Sequence, residues 1–358
     1  MDTNYGVNHP LAIKKWSSEL MVEALKKTYV LQFMSKSKDS LVTIKTDLTT
    51  SDGGDRIRVG IRSQLRGDGV SGDGTLEGNE EALETFYQDV LIDQLRHAGR
   101  SQGKMSEQRI PFSVRNEIRD GLADWWADRI DTWFFNQIAG NTAQTDGRYV
   151  GFNAAVLPDA DHVSYGNSGV TGTAIETIEA NSISNTTVCK MNLTFIDTAV
   201  EKAKLAKNAL RPITVNGKKH YVMFIHPYQV TSLRTNTATG QWQDIQQAAI
   251  QGGQTSDNPI FTGALGMYNN VVLHESTRVP AARTNSSVRR AILCGAQAAS
   301  IAFGKGYGKE VFTWVEELFD YKNKLGVAAG AQAGMIKTRF DGSDYGTVVC
   351  PTYATAAT

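Results

Sequence analysis

The residue types able to do chemistry are dispersed through this 358-residue chain. Six histidines, His9, His97, His162, His220, His226 and His274, form no His-Glu-x-x-His motif and no zinc pairing at helical spacing. His220 and His226 share parity, so a strand would put both on one side; ordinary strand histidines explain them as well. Asp124, Asp128 and Asp131 recur at i, i+4 and i+7, which gathers three carboxylates on one helix face. A metal could use them with further oxygen ligands, but Arg129 beside them points to a solvated face of mixed charge. The glycine-rich stretch GDGVSGDGTLEGNEE lacks a Gly-x-x-x-x-Gly-Lys-Ser/Thr pattern, and Asp68, Asp73 and Glu77 would repel a phosphate. Its acids also lack the spacing of a calcium loop. There is no Gly-x-Ser-x-Gly and no cysteine with a plausible base. Cys189, Cys294 and Cys350 stand too far apart for Cys-x-x-Cys chemistry or a disulfide framework, and fit a reducing compartment. The expectation is a chain that is not an enzyme, with no cofactor and no metal.

The elements that would position side chains are easier to read. From Ser113 to Gly140, Val114, Ile118, Leu122, Trp125, Trp126, Ile130, Trp133, Phe134 and Ile138 recur at steps of three and four, the stripe of a packed helix. Such a helix is roughly 40 Å long. Adjacent tryptophans cannot both enter one core, so neighbouring strands or another subunit should cover Trp125 or Trp126. Residues 10–33 predict an N-terminal helix lying on a surface. Residues 46–103 read as one long two-stranded excursion with a mobile tip, in which 67–79 hold five glycines. An isolated hairpin is marginal in water, so this one should lean on something else. Residues 141–188 read as loops and short strands. A helix capped by Thr194, with Asp197 as an acidic variant of a capping box, precedes a hairpin about Asn216-Gly217. Helices over Pro227–Thr235 and Trp242–Gln251 follow, then strands near Val271–His274 and in RRAILC. Long strands after Val311 should pack on the long helix.

Lysine plus arginine equals aspartate plus glutamate at 37 each, so the whole chain has no bias toward nucleic acid or membrane. No apolar run reaches the roughly 18–20 residues of a membrane span, and no signal peptide is evident. The charge is uneven locally. Between Lys45 and Lys104 six arginines face eleven acids and no lysine, a net −5, whereas 190–235 carries eight basic and two acidic residues, a net +6. Opposite solvated faces account for this, and so does complementarity between neighbouring copies. Arg62, Arg66, Asp73 and Glu77 on the excursion, Trp125 and Trp126 on the helix, and Lys202, Lys218 and Lys219 on the basic stretch are therefore the residues expected at assembly interfaces.

The order of these parts, an acidic hairpin, one long helix, an α/β unit and closing long strands, resembles tailed-phage major capsid proteins of the Hong Kong 97 type. The stretches RNEIRDGLADWWADRIDTWFFNQIAG, YVMFIHPYQVTSLR with GQWQDIQ, NPIFTGALGMYNNVVLHES, AILCGAQAASIAFG, TWVEELFDY and KTRFDGSDYG resemble the family typified by the phage N-four coat protein. The resemblance implies an α+β fold with an N-terminal arm at 1–45, an E-loop at 46–105 and a spine helix at 113–140. It implies a peripheral domain over 106–189 and 305–358, including the loop-rich insertion 141–189, and an axial domain at 190–304. It also implies self-assembly into the pentamers and hexamers of an icosahedral head. Scaffolding, portal and decoration proteins would be partners, with packaged DNA held non-specifically and no membrane. The expected location is the virion capsid, after synthesis in the host cytoplasm. The founding member cross-links an E-loop lysine to a neighbour's asparagine, and the missing lysine here predicts no such chain-mail. Two other readings fit less of the chain: a tube or decoration protein of the virion, and a nucleic-acid-binding module using 190–235, which lacks an arginine and aromatic platform.

Overall fold

The computed structural model describes residues 28–49, 53–62, 65, 67–83, 85–109, 113–165, 174–184, 189–215, 217–236, 264–283, 286–305 and 311–356. Of the helix expected over 10–33, residues 10–27 lie outside the described residues and Tyr29–Phe33 form a short 3-10 helix; the expected helix Trp242–Gln251, Arg66 and Asn216 also lie outside them. In chain order the strands and helices are β1 (Met34–Ser35), β2 (Val42–Lys45), β3 (Arg56–Arg62), β4 (Thr85–Leu91), β5 (Asp93–Arg100), α1 (Lys104–Gln108), α2 (Val114–Ile138), α3 (Gly147–Val150), α4 (Ile175–Ser184) and α5 (Leu193–Leu205). They continue with β6 (Ile213–Val215), β7 (Lys218–Ile225), α6 (Pro227–Thr235), β8 (Ala264–Tyr268), β9 (Val271–Glu275), β10 (Val288–Cys294), β11 (Ala299–Phe303), β12 (Phe312–Phe319), β13 (Lys324–Lys337), β14 (Arg339–Phe340), β15 (Ser343–Asp344) and β16 (Thr347–Tyr353).

Two sheets carry the body. The first runs β1-β2-β11-β13-β12, with β5 also paired to β13; the second runs β16-β10-β7-β9-β8, with β6 paired to β7. β13 is the spine of the first sheet because its 14 residues are long enough to pair with β12 and then β11 along one edge and with β5 along the other. The pairing crosses the boundaries read from sequence. β11 hydrogen-bonds in the first sheet rather than with its neighbour β10, and β16 returns to the second sheet rather than to the helix. The excursion is shorter than 46–103: β3 and β4 pair from Arg56 with Leu91 to Arg62 with Thr85, and the chain then enters the first sheet as β5.

α2 is the long helix, ending where Gly140 takes a left-handed φ of 62°. Its apolar stripe buries Leu122, Trp126, Ile130, Trp133, Phe134 and Ile138 against the first sheet, where Phe312, Trp314, Val327 and Met335 complete the core. Phe134 and Phe135 also meet Phe224 of β7 edge-on, at 5.6 and 5.4 Å, so one helix end reaches both sheets. Among the described residues, 141–188 hold helices α3 and α4 and no strand. Asn192, not Thr194, caps α5, its side chain accepting from Phe195 N at 3.0 Å. Asp197 instead accepts from Tyr268 Oη and Asn269 Nδ2. α6 begins as predicted, on Pro227. His226 is its cap rather than a strand histidine: its Nδ1 accepts from Tyr228 N while Gln229 accepts from His226 N. Burial, with Arg289 nearby, pushes the imidazole down to about 4, which keeps Nδ1 free to accept.

Candidate assembly interface

The hairpin β3–β4 is built to stand away from its own chain. Ile57 and Val90 point back and bury against Ala302, Leu48, Val59, Ile92 and Ile336, while the alternate residues face outward. On the outer face Arg58 grips Asp89 with two bonds, Nε to Oδ1 at 2.8 Å and Nη2 to Oδ2 at 2.9 Å, and lies 4.0 Å over the Tyr87 ring. Two amide side chains fix the hairpin's base. Asn153 both accepts from Leu91 N and donates to Leu91 O, each at 3.0 Å, at the joint between β4 and β5. Gln88 donates to Lys337 O and accepts from Arg339 N. Gly334 of β13 makes that approach possible, since a Cβ there would fall 1.9 Å from Leu91 O.

Beyond the base, residues 67–83 are exposed throughout, including Asp73, Glu77 and the apolar Leu76 and Leu83. Arg62 sits exposed where the strands end. Lys218 and Lys219 are exposed at the start of β7, and Lys202 is half-buried on α5, so the basic residues lie on separate elements. Among the described residues Asp73, Glu77, Lys202, Lys218 and Lys219 have no ion-pair partner, whereas Lys207 of the same basic stretch pairs with Asp341 at 3.1 Å. The unmatched charges of both signs are those that assembly could match.

The tryptophans separate. Trp125 is half-buried, stacked at 4.6 Å on His97 of β5 with the Arg129 guanidinium 5.0 Å from its ring, so neighbouring strands of its own chain cover it in part. Trp126 is 1% exposed and packs edge-on against Phe312. That corrects the expectation for Trp126: its indole belongs to the chain's own core and has no surface to offer a neighbour.

The carboxylate face of α2 also reads differently in three dimensions. Asp124 and Asp128 are exposed, and Asp128 holds Arg278 at 2.6 Å. Asp131 is buried and accepts from Tyr29 N at 3.1 Å and Val30 N at 3.0 Å, capping the short 3-10 helix Tyr29–Phe33. Burial raises its pKa, and the two N–H donors and Arg278 oppose the rise. This carboxylate fastens the Tyr29–Phe33 turn onto α2.

Two buried polar clusters match no sequence motif. Arg290, fully buried on β10, pairs with the equally buried Glu179 of α4 and donates to Ala139 O at 3.2 Å and Gly140 O at 2.8 Å. It therefore supplies a cation and two donors to the C-terminal end of α2. Lys337, buried at the end of β13, meets Asp344 at 2.7 Å and Val156 O at 3.0 Å. Asp159 joins this cluster by accepting from Asp344 N at 2.7 Å while its other oxygen holds His162 Nδ1 at 2.7 Å. Burial alone would raise the Asp159 pKa, but those bonds win and hold it down to about 2. His162 is correspondingly raised, the Asp159 carboxylate outweighing burial. No group of three or more metal-ligating side chains is gathered among the described residues. No helix among them is long and apolar enough to cross a membrane.

Comparison with known proteins agrees with this geometry. The family described as phage capsid protein matches residues 4–356. The major capsid protein of Pseudomonas phage KPP25 is 27% identical over 348 residues, which are 91% of this chain and 89% of that protein. Among solved structures, the capsid of Ralstonia phage GP4 superposes with a TM-score of 0.79 at 34% identity over the whole of both chains. The head structure of Helicobacter pylori bacteriophage KHP40 shares the fold, with a TM-score of 0.65 at 15% identity over 99% of this chain and 95% of that one.

Proposed function

Since the chain belongs to the phage capsid protein family, we propose that it builds its shell by laying the acidic β3–β4 hairpin across the basic face of a neighbouring copy. It is a phage major capsid protein of the Hong Kong 97-type fold. Its role is structural rather than catalytic. The supporting observation is the hairpin: its base is pinned by Asn153 and Gln88, while its charged, partly apolar tip is covered by nothing else among the described residues. Arg62, Asp73 and Glu77 are its contacts, with Arg66 in the same stretch; Lys202, Lys218 and Lys219 are theirs, and the exposed edge of Trp125 serves a second contact. Copies close into rings of five and six, the tip and the arm adjusting to each setting.

The division proposed for the chain is an arm at 1–45, an E-loop at 46–105, a peripheral domain at 106–189 and 305–358 and an axial domain at 190–304. β5, β11 and β16 are strands exchanged between those segments. Scaffolding, portal and decoration proteins are the other partners, and the neutral shell encloses DNA without reading its sequence, in a virion made in the host cytoplasm. Electron microscopy of the expressed protein tests the reading: closed shells support it, and tubes or dispersed subunits oppose it. Reversing Asp73 and Glu77 to Lys should block closure, and reversing Lys218 and Lys219 to Glu in the same chain should restore it. Failure of that rescue would remove the pairing while leaving the capsid role intact.

A further inference from the structure

We propose that Lys337 and Asp344 condense into an isopeptide bond within one chain, the lysine amine joining the aspartate side-chain carbonyl carbon with loss of water. The two groups are sealed from solvent, with 1% and 0% of their side chains exposed, and Nζ lies 2.7 Å from Oδ2. They are seven residues apart, at the two ends of the β14–β15 turn, so the fold holds them together without further ordering. A buried ion pair sacrifices the hydration of both charges, and condensation removes both.

The surroundings suit each atom's part. Oδ1, which stays as the amide oxygen, accepts no hydrogen bond among the described residues, and Arg339 Nε lies 3.3 Å from it. That cation lies beside the oxygen on which negative charge collects in a tetrahedral intermediate. Val156 O accepts from Nζ at 3.0 Å, and the single hydrogen left on the amide nitrogen can keep that bond. Asp159 holds the Asp344 backbone N–H at 2.7 Å and is itself held by His162, which fixes the carbonyl carbon in place. Burial moves the lysine pKa down and the aspartate pKa up, both toward the neutral forms that react.

The step balances without any added reagent. A proton crosses the existing Nζ to Oδ2 hydrogen bond, giving a neutral amine and a neutral acid. The Nζ lone pair attacks Cγ, charge collects on Oδ1, and a second Nζ proton passes to Oδ2. The Cγ–Oδ2 bond then breaks and water leaves, so the bond formed is Nζ–Cγ. Because the link lies within one chain, it produces no ladder of multimers and is separate from the chain-mail that the lysine-free hairpin argues against.

Peptide mapping of folded protein from purified particles tests this. Trypsin should leave Lys337 uncut and release 325–339 joined to the peptide beginning at Phe340, lighter than the two together by one water. The Asp344→Asn variant should lose ammonia instead and yield a joined peptide of the same mass. Lys337→Arg should yield separate peptides. Cleavage after Lys337 in folded wild-type protein, with the two peptides free, overturns the proposal.

Discussion

Replacing Arg290 with methionine probes the joint at which the long helix, α4 and the second sheet meet. The guanidinium is fully buried and satisfies Glu179 together with the carbonyls of Ala139 and Gly140. Removing it strands a carboxylate inside the protein, which costs about 3–5 kcal/mol. Ala139 O loses its donor, at roughly 1–3 kcal/mol when left unsatisfied, Gly140 O keeps the Thr142 N–H, and the end of α2 loses a favourable cation. These losses overlap because neighbouring groups relax together, so the expected total is about 5 kcal/mol. That rivals the whole stability of a typical domain, about 5–15 kcal/mol. The double variant Arg290→Met, Glu179→Met removes the stranded charge and should recover about 3 kcal/mol, leaving the unsatisfied Ala139 carbonyl and the lost helix-end cation as the remainder. Urea unfolding of the soluble subunit, followed by near-ultraviolet circular dichroism, reads both. An Arg290→Met midpoint within about 1 kcal/mol of wild type, or a double variant no more stable than the single, refutes the reasoning.

Trp126→Ala should cost about 3–5 kcal/mol in the same assay because it empties a fully enclosed site, whereas Trp125→Ala should cost clearly less. Asp131→Ala orphans Tyr29 N and Val30 N, so limited proteolysis should cut near Thr28 faster than in wild type while unfolding of the body shifts little. The Asp159–His162 pair gives a pH signature. Asp159, with its pKa held down to about 2, contributes stability above its ordinary value near ~4 and loses it as pH falls toward 2. His162, with its pKa raised, contributes below its ordinary value near ~6.5 and loses it as pH rises through the elevated folded value. The stability gap between wild type and His162→Gln should therefore be widest between about pH 4 and 6.5; a gap that does not vary with pH excludes the pair as its source. If hairpin and basic face pair across copies, shells should loosen as salt rises, and dissociation insensitive to salt counts against that pairing.

The parts legible in sequence are those set by local rules. α2 announces itself through steps of three and four, α6 through Pro227, and the exposed tip through its glycines. Pairing across long separations is not local, which is why β11 and β16 fall in sheets other than those their neighbours suggest. Asp131 has the same spacing from Asp124 and Asp128 whether its face meets solvent or an incoming backbone; only the position of Tyr29 and Val30 separates the two. Asn192 and Thr194 are both good caps two residues apart, and the sequence does not choose between them. Arg290 did leave a trace, as a charge within an apolar strand, and such a residue is worth treating as a buried partner in search of a carboxylate.

The positions of the buried charges explain how one chain can be both rigid and adaptable. Arg290 ties the end of α2 to α4 and β10, and Asp131 ties the Tyr29–Phe33 turn to α2. Each of these joints is satisfied in one geometry, so a shift between the sheets would orphan a buried charge, at a cost of several kcal/mol. The hairpin tip carries no such constraint: beyond Asn153 and Gln88 it has exposed glycines and unmatched acids. Different neighbours therefore cost least when the tip adjusts and the body does not. Loosening the base with Asn153→Ala should consequently produce shells of mixed size from subunits of near-normal stability, and uniform shells from that variant would show that the hairpin's aim is set elsewhere.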